Sequence, residues 1–355
     1  MSYQRDFRRR VALGVVGVGM QCYRNILPVL NHLPVRLVAV CDRDGERAAL
    51  TASQYGVPHY EQAGDMYANE QLDAVILCVG PDQHPPLAVE AFSAGLDVWM
   101  EKPPAARVLG VQEMLAARGA HTCVVGFKKT FMPAARKAVE IIDSHGGREA
   151  IRSLLVTYPL SVPAGRERGL AQPDEGDWLG DGCHPLSLML ELGGPACAVT
   201  VIRGARGGGA CVLEFTSGAV GNLHLAEGTP QTQPFESYRV FGRDWRVDIE
   251  NSSRVRFQRG TEFDYDNMTT FAPPGFEHGA IVWEAQSSLA SLENKAMFVQ
   301  GFYNELRHFC DCVLEGASPT CGTLEQALAV TQIYEAAMDS MGDRVELPPA
   351  DRSVT

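Results

Sequence analysis

The sequence predicts an α/β domain followed by an α+β domain, on three observations. Short apolar runs alternate with helical patterns over the first 127 residues, and after about residue 150 strand patterns follow one another without a helix between them. Two helical patterns end the chain. Alternation of strands and helices is typical of a parallel sheet. Strands that follow one another without a helix are typical of antiparallel hairpins. We therefore expect a doubly wound domain over residues 1–127 and a domain with a large, mostly antiparallel open sheet over residues 128–355.

The strands of the first domain are predicted from runs that are apolar without alternation, as strands buried on both faces should be. These runs are Val11–Val16, Val35–Cys41, Leu72–Val79, Val98–Met100 and Thr122–Phe127. Helical patterns lie between them, for example "RDGERAALTASQYG" and "PPLAVEAFSAG". The second ends at Gly95, a residue type that often ends helices.

The second domain carries turn signals between its strand patterns "AVTVIRG", "GACVLEFTSG", "AVGNLHLAEG", "SYRVFG" and "RVDIENSSRVRFQ". Residues 204–209, "GARGGG", are predicted to form a hairpin loop. Residues 261–292 have little periodicity, so we expect a long loop and a candidate functional segment. The last two helical patterns cover residues 296–316 and 323–341, and the second opens with Thr323 and Gln326 in capping-box spacing.

Composition limits the possible partners and the compartment. A net charge of −12 argues against nucleic acid or an anionic membrane surface. Ten cysteines without a C-x-x-C pattern indicate buried thiols in a reducing cytoplasm and no metal site. We interpret the basic and apolar stretch "RRRVALGVVGVG" as a strand rather than a signal peptide. No apolar run approaches the ~20 residues that a membrane helix needs.

The stretch "VALGVVGVGMQCYRNILPVL" has a strand, a glycine turn and a helix in the order that a dinucleotide-binding fingerprint requires. Gly17 would make the tight turn and Gly19 would let the backbone approach a pyrophosphate at the helix N-terminus. Cys22 stands at the third position, where a small side chain is sufficient for packing. Asp42 follows twenty residues later at the end of "AVCD", where a carboxylate binds ribose hydroxyls. The pattern predicts a Rossmann dinucleotide site.

The same residues favour NAD over NADP as the cofactor, because the Asp42 carboxylate would repel a 2′-phosphate. Arg43 and Arg47 follow closely and offset part of that repulsion, so NADP stays possible. Met20 and Gln21 belong to the glycine turn and are also expected at the cofactor.

Glu101, Lys102 and Pro103 directly follow the strand pattern "DVWM". Ligands bind at the carboxyl ends of strands in open parallel sheets. A lysine fixed there is a candidate proton donor or substrate anchor. The alternative is a solvated loop lysine beside a turn proline.

The longer stretch "LDAVILCVGPDQHPPLAVEAFSAGLDVWMEKP" resembles the glucose–fructose oxidoreductase/inositol dehydrogenase (Gfo/Idh/MocA) family. That family carries threonine-proline at the strand end, a histidine shortly after it, and Glu-Lys-Pro. Here the strand end is Val79-Gly80-Pro81 and the histidine is His84, so threonine-proline is not kept. The resemblance implies that Val79, His84 and Glu101 lie at the cofactor and that Lys102 lies beside nicotinamide and substrate, with a peptide bond to proline that is cis in some members.

The resemblance continues through "CVVGFKKTFMP" and covers essentially the whole chain. It implies an NAD(P)-binding domain followed by a substrate-binding domain whose open sheet packs in homodimers or homotetramers. It also implies a basic residue near the substrate at Lys128 or Lys129, although Thr130 stands where arginine is frequent. Trp178 and His278 are expected on loops near the pocket mouth.

A second motif, "DWLGDGCHPLSLML", resembles the family pattern Asp-x-Gly-x-His-x-x-Asp, whose histidine is the general base. Gly182 and His184 match, whereas Gly180 and Ser187 stand where the two aspartates are expected. Asp177 and Asp181 lie close to these positions in sequence but do not match the pattern. The sequence therefore does not identify the residue that orients His184. A histidine at the start of a helix would stay neutral and able to accept a proton. The alternative is a capping or packing histidine.

These observations favour an NAD(P)-dependent dehydrogenase or reductase acting on a sugar, a cyclitol or a related polyol, with Lys102 and His184 as catalytic residues. Two alternatives are a non-catalytic NAD-binding sensor or regulator, favoured by the altered histidine motif, and an NAD-dependent glycosidase. The substrate class comes from the resemblance.

Overall fold

The computed structural model describes residues 7–163, 177–230, 235–260, 266, 279–285 and 295–349. These residues divide into two compact units. The first contains the chain up to Phe131 together with Ala296–Glu335, and the second contains Met132–Lys295 and Ala336–Ala350. The N-terminal unit ends four residues beyond the predicted boundary at 127. The segment Ala296–Glu335, which we expected in the second domain, lies in the first unit.

The first unit is built on a parallel six-stranded sheet in the order β3-β2-β1-β4-β5-β6. Its strands are β1 (Val11–Val16), β2 (Val35–Cys41), β3 (His59–Tyr60), β4 (Ala74–Leu77), β5 (Asp97–Met100) and β6 (Cys123–Val125). All five predicted strands are present, and β3 is added because two residues are too short to give a periodic signal. The doubly wound fold is confirmed.

Helices connect these strands. They are α1, which opens as a π-helix over Cys22–Ile26 and continues as Leu27–Leu30, then α2 (Gly45–Tyr55), α3 (Ala63–Asn69), α4 (His84–Ser93), α5 (Val108–Arg118) and the short α6 (Lys128–Phe131). Gly95, with φ +82°, follows α4 in the left-handed conformation, as the sequence predicts for a helix end.

The second unit carries a nine-stranded sheet in the order β14-β13-β12-β11-β7-β10-β9-β8-β15. Its elements are α7 (Pro133–Asp143), β7 (Ile151–Tyr158), α8 (Asp177–Gly180), α9 (Cys183–Gly193), β8 (Ala196–Arg203), β9 (Gly209–Phe215), β10 (Val220–Leu225), β11 (Ser237–Gly242), β12 (Trp245–Glu250), β13 (Arg254–Arg259) and β14 (Gly279–Glu284). Within this sheet, β7 and β10 are the only described strands that pair in parallel. The prediction of a mostly antiparallel sheet is therefore confirmed.

The prediction of one long loop over residues 261–292 is wrong in part, because β14 lies within it and pairs with β13. β14 is an edge strand, and five of its six residues are exposed. It therefore lacks the alternation of buried and exposed side chains by which a strand is found. The rest of that segment, apart from Asp266 and Ala285, lies outside the described residues.

The C-terminal helices are α10 (Lys295–Val299), α11 (Phe302–Glu315) and α12 (Leu324–Asp339), before the short strand β15 (Val345–Glu346). The predicted single helix over residues 296–316 is broken, because Gly301 has φ +92°. α11 packs against β1, β5 and β6 and places Leu306 and Phe309 in the core of the first unit. This packing is why the segment belongs to the first unit. Within the described part of the chain, no helix is long and apolar enough to cross a membrane.

The capping box before α12 gives a direct test of the helix boundary. The Thr323 hydroxyl accepts a hydrogen bond from Gln326 N at 3.2 Å, and Gln326 Oε1 accepts from Thr323 N at 3.2 Å. Thr323→Ala removes the first bond and should lower the free energy of unfolding by about 1 kcal/mol in chemical denaturation. Thr323→Ser keeps the hydroxyl and should stay close to wild type. An alanine variant as stable as the serine variant would contradict the cap.

Candidate active site

The turn after β1 is fixed by a close approach of two backbones. Gly17 has φ +86°, and a Cβ there would lie 2.3 Å from the carbonyl oxygen of Cys78. Only glycine fits that position. At Gly19 a Cβ would meet no atom within 4 Å, so this part of the turn is open to a ligand. Cys22 is fully buried in the core, where a small side chain is needed, as predicted.

Asp42, at the end of β2, is 6% exposed and is held by the turn. Its Oδ2 accepts a hydrogen bond from Val18 N at 2.9 Å, and its Oδ1 accepts from Asp44 N at 3.0 Å. Arg47 Nη1 lies 3.4 Å from both oxygens. An ionised carboxylate accepts about four hydrogen bonds. The two backbone N–H groups and the shared Arg47 contact already fill these positions, so ribose hydroxyls would bind here by displacing Arg47, whose side chain is 49% exposed.

A cavity of about 360 Å³ lies at the carboxyl ends of these strands. Its lining includes Gly17, Gly19, Asp42, Arg43, Arg47 and Val79. Backbone N–H groups, a carboxylate and two guanidinium groups suit a nucleotide, and a cavity of this volume is typical of small-molecule sites. Gln83 and Leu87 also line it, and no sequence signal marked them because both lie in or beside an ordinary helix start. The residues present thus fit a dinucleotide.

Gln21 connects the glycine turn to the Glu-Lys-Pro motif. Its Nε2 donates to Glu101 Oε1 at 2.8 Å, and Lys102 N donates to Glu101 Oε2 at 3.0 Å. Burial raises the pKa of Glu101, while the Gln21 hydrogen bond and the Lys102 charge oppose the rise. Met20, by contrast, is 72% exposed beside the turn. Two motifs that are 80 residues apart in sequence are therefore neighbours.

His84 is fully buried at the start of α4 and contacts the same loop. Its Nδ1 lies 3.0 Å from the carbonyl oxygen of Pro103, so Nδ1 must carry the proton and donate. Burial lowers the pKa of His84 to about 4, which leaves the ring neutral at neutral pH. The Lys102–Pro103 peptide bond is cis, as occurs in some members of the family that the sequence resembles. His84 thereby fixes the loop that carries Lys102, and its contact with a cofactor stays a prediction.

Lys128 and Lys129 begin α6, which follows β6. Lys128 Nζ lies 4.6 Å from the centroid of the Phe302 ring, and burial lowers the pKa of Lys128. Lys129 is 5% exposed. The Thr130 hydroxyl, where the family often has arginine, donates to the carbonyl of Phe127 at 2.9 Å and so completes the turn. Basic side chains therefore follow both β5 and β6, at one edge of the sheet.

In the second unit, His184 is the second residue of α9 and is 5% exposed. Its backbone N–H donates to Asp181 O at 3.0 Å. Gly182 precedes the helix, and a Cβ there would lie 2.3 Å from the carbonyl oxygen of Trp178. The glycine of the histidine motif is therefore required for chain packing. The helix begins at Cys183, which places Pro185 in its first turn, as the sequence predicts.

The structure shows what surrounds Gly180 and Ser187, which stand where the family pattern has aspartates. A Cβ at Gly180 would meet no atom within 4 Å, so a larger residue would fit there. The Ser187 hydroxyl donates to the carbonyl oxygen of His184 at 3.1 Å, a bond along the helix that does not involve the imidazole. The expectation of a loop residue at Trp178 is wrong, because Trp178 lies in α8 and is 5% exposed. His278 lies outside the described residues, as does the side chain of Asp177.

A comparison with protein families matches residues 11–128 to the Gfo/Idh/MocA model, described as an oxidoreductase family with an NAD-binding Rossmann fold. This range spans the whole six-stranded sheet. It contains the glycine turn, Asp42 and the Glu-Lys-Pro motif. The match and the geometry of the site therefore concern the same residues.

Similar proteins extend the likeness into the second unit. A D-xylose 1-dehydrogenase (NADP(+)) of Haloferax volcanii is 27% identical over 71% of this chain and 79% of its own. A scyllo-inositol 2-dehydrogenase (NAD(+)) of Bacillus subtilis is 22% identical over 93% of this chain and 95% of its own. An oxidoreductase of Agrobacterium radiobacter, solved with NAD+, L-tartaric acid and magnesium, has the same fold, with a TM-score of 0.76 at 15% identity over 95% of this chain and 98% of its own. Residues 11–128 thus match the NAD-binding domain of the Gfo/Idh/MocA oxidoreductase family, and the relatives that align beyond this range are named as dehydrogenases.

Proposed function

We propose that the protein is an NAD(P)-dependent dehydrogenase or reductase that transfers hydride between nicotinamide and a secondary alcohol or ketone of a sugar, a cyclitol or a related polyol. The observation that carries the proposal is the position of Lys102 at the carboxyl end of β5, joined through Glu101 and Gln21 to the glycine turn. The names of the xylose and inositol dehydrogenases among its relatives support the substrate class.

Each residue has a distinct task in this proposal. Gly17 and Gly19 shape the turn that receives the pyrophosphate, and Asp42 receives the adenosine ribose. A nicotinamide cofactor held by these residues would supply hydride exchange with an alcohol or carbonyl carbon. Lys102 positions the substrate oxygen. His184 keeps the role of general base that the sequence predicts, because an alcohol proton must leave as hydride leaves carbon.

The cofactor preference in this proposal is for NAD. The Asp42 carboxylate points into the ribose part of the cavity and repels a 2′-phosphate. Arg47 partly neutralises that carboxylate and, with Arg43, supplies positive charge in the same cavity. NADP therefore binds more weakly but is not excluded from the site.

A second candidate, a non-catalytic NAD-binding sensor, is favoured by one observation. Gly180 and Ser187 supply no carboxylate at the two positions that flank His184 in the family pattern. A sensor would bind NAD and a sugar without reducing the cofactor. An NAD-dependent glycosidase would instead hydrolyse a glycoside with no net formation of NADH.

We expect substitution by alanine to have different effects at the two glycines of the turn. Gly19→Ala has open space and should leave the melting temperature unchanged, while its methyl group occupies the room that a pyrophosphate needs and weakens NAD binding by roughly tenfold, or about 1.4 kcal/mol. Gly17→Ala collides with backbone and should itself cost about 1–3 kcal/mol of stability. Calorimetric titration with NAD and thermal melting separate the two effects. Normal NAD affinity in a folded Gly19→Ala variant would place the cofactor elsewhere.

Lys102→Ala should lower kcat by roughly 10²–10⁴-fold while leaving the NAD dissociation constant largely unchanged, because the lysine acts on the substrate oxygen. The measurement is NADH absorbance with a panel of sugars and cyclitols, beside NAD titration. Lys137→Ala is the matched control, since Lys137 is paired with Glu140 on helix α7 at 2.7 Å and takes no part in the site. Turnover that survives in Lys102→Ala would remove the lysine from the mechanism.

We also propose that the protein is cytoplasmic and assembles as a homodimer or homotetramer through the open face of the nine-stranded sheet. α7 and α9 pack on the opposite face. The open face carries Leu155, Ile202, Val220 and Val282, which are 38–58% exposed. Leu155 and Val220 lie on the neighbouring strands β7 and β10, and exposed apolar residues that adjoin one another mark interaction surfaces.

Sedimentation should therefore give a dimer or tetramer for the wild type. Leu155→Arg combined with Ile202→Arg should weaken association by at least about tenfold, because each buried aliphatic side chain contributes roughly 1.5–3 kcal/mol. Leu50→Arg is the control, since Leu50 is 65% exposed on α2 in the other unit. A monomeric wild type would refute the assembly.

A further inference from the structure

Glu305 is a buried acid that the proposed mechanism leaves without a role. It lies one turn into α11 and is fully buried, in the stripe that also contains Phe302, Leu306 and Phe309. Neither of its carboxyl oxygens has a hydrogen-bond partner among the described residues. An isolated ionised carboxylate in such a place is very costly. Packing alone therefore does not account for a glutamate at this core position of an amphipathic helix.

The first turn of α11 faces Lys128. Phe302 and Glu305 are three residues apart, so they share one face of the helix. The Lys128 ammonium lies 4.6 Å from the Phe302 ring centroid. Asn304 Nδ2 donates to the carbonyl oxygen of Phe131 at 2.9 Å, which ties the same turn to the end of α6. Glu305 is thus placed on the face of α11 that contacts the helix carrying Lys128.

The groups around Glu305 are of mixed charge. Burial raises the pKa of Glu305 well above its usual range, the Glu101 carboxylate raises it further, and the Lys128 ammonium opposes the rise. Glu101 already accepts hydrogen bonds from Gln21 and from Lys102 N. The Cys78 thiol, beyond the end of β4, is a further titratable neighbour.

Lys128 is a buried base beside groups of both charges. Burial and the charge of Lys129 lower its pKa, the two carboxyl groups of Glu305 and Glu101 raise it, and Lys102 lowers it slightly. The charges of three lysines and two glutamates therefore influence one another near the ends of β5 and β6. Glu101 is the hydrogen-bonded carboxylate of this cluster, and Glu305 is the carboxyl without such bonds.

We propose that Glu305 is a neutral carboxylic acid in the resting protein, opposite a charged Lys128 on the facing helix, and that it is a positioning residue because its ionisation changes the charge around Lys128. The step is Glu305–COOH ⇌ Glu305–COO⁻ + H⁺, in which the O–H bond breaks and the proton leaves to solvent. The charge around Lys128 is therefore set from the core of the first unit. Its importance for turnover rests on the proposed function, because only then does this edge receive nicotinamide and substrate.

Infrared spectroscopy tests the protonation state directly and needs no substrate. The difference spectrum of wild type minus Glu305→Gln should show the carbonyl band of a protonated carboxylic acid at neutral pH, and the band should disappear as the pH rises. Lys128→Met removes the opposing charge and should move the midpoint upward by roughly one pH unit or more. Glu315→Gln is the control, since Glu315 is exposed on the same helix and should give no such band at neutral pH.

Stability gives a second readout. The pKa of Glu305 is raised in the folded state above an unfolded value of about 4.3. The folded wild type is therefore favoured below that value and loses stability as the pH rises through the folded pKa. Glu305→Gln cannot ionise, so its melting temperature should rise relative to wild type from about pH 4.3 upward. Glu315→Gln should show no such trend.

Two results would overturn the inference. One is the absence of the acid band from the wild type at neutral pH, and the other is a midpoint that Lys128→Met does not move. If Glu305→Gln does not fold, Glu305→Met supplies the reference spectrum and the comparison of wild type with Lys128→Met still decides. Failure to find turnover with any sugar would refute the proposed function alone, because neither readout depends on catalysis.

Discussion

The approach of Gly17 to the carbonyl of Cys78 is the contact on which the first unit's site depends. It holds the ends of β1 and β4 so close that no side chain fits between them. Because of it, the chain leaves β1 in a tight turn, Val18 N reaches Asp42, and Gln21 reaches Glu101. A backbone constraint at one residue thus brings together side chains that lie on three different strand ends. The open space at Gly19 is the other consequence of the same turn.

Buried ionisable groups are the second feature of this part of the first unit. Glu101 is stabilised there by two hydrogen bonds, and His84 is kept neutral while its N–H holds the Pro103 carbonyl. Glu305 has no such bonds among the described residues. In a low-dielectric region a group either finds a partner or gives up its charge. The three side chains illustrate both solutions within one sheet edge, and they do so around Lys102.

The errors of the sequence analysis have physical causes. β14 is an edge strand exposed on both faces, so it carries no periodic signal. The helix predicted over residues 296–316 is interrupted at Gly301, whose neighbours have helical patterns on both sides. Trp178 follows a segment rich in glycine and acidic residues and so resembles a loop residue, yet it packs over Gly182. In each case the local pattern was outweighed by a contact or an edge that sequence does not display.

Residue patterns were enough to predict the doubly wound sheet, the glycine turn and the sites of Asp42 and the Glu-Lys-Pro motif. These features depend on short-range patterns and on residue types that few positions accept, such as glycine at a positive φ. Which distant residues meet became clear from the fold. The packing of α11 on the sheet of the first unit, the hydrogen bond of Gln21 to Glu101 and the burial of Glu305 arise between segments at least 80 residues apart. Spacing along the chain carries no information about such pairs, because burial and hydrogen bonding are decided by what the fold places around each group.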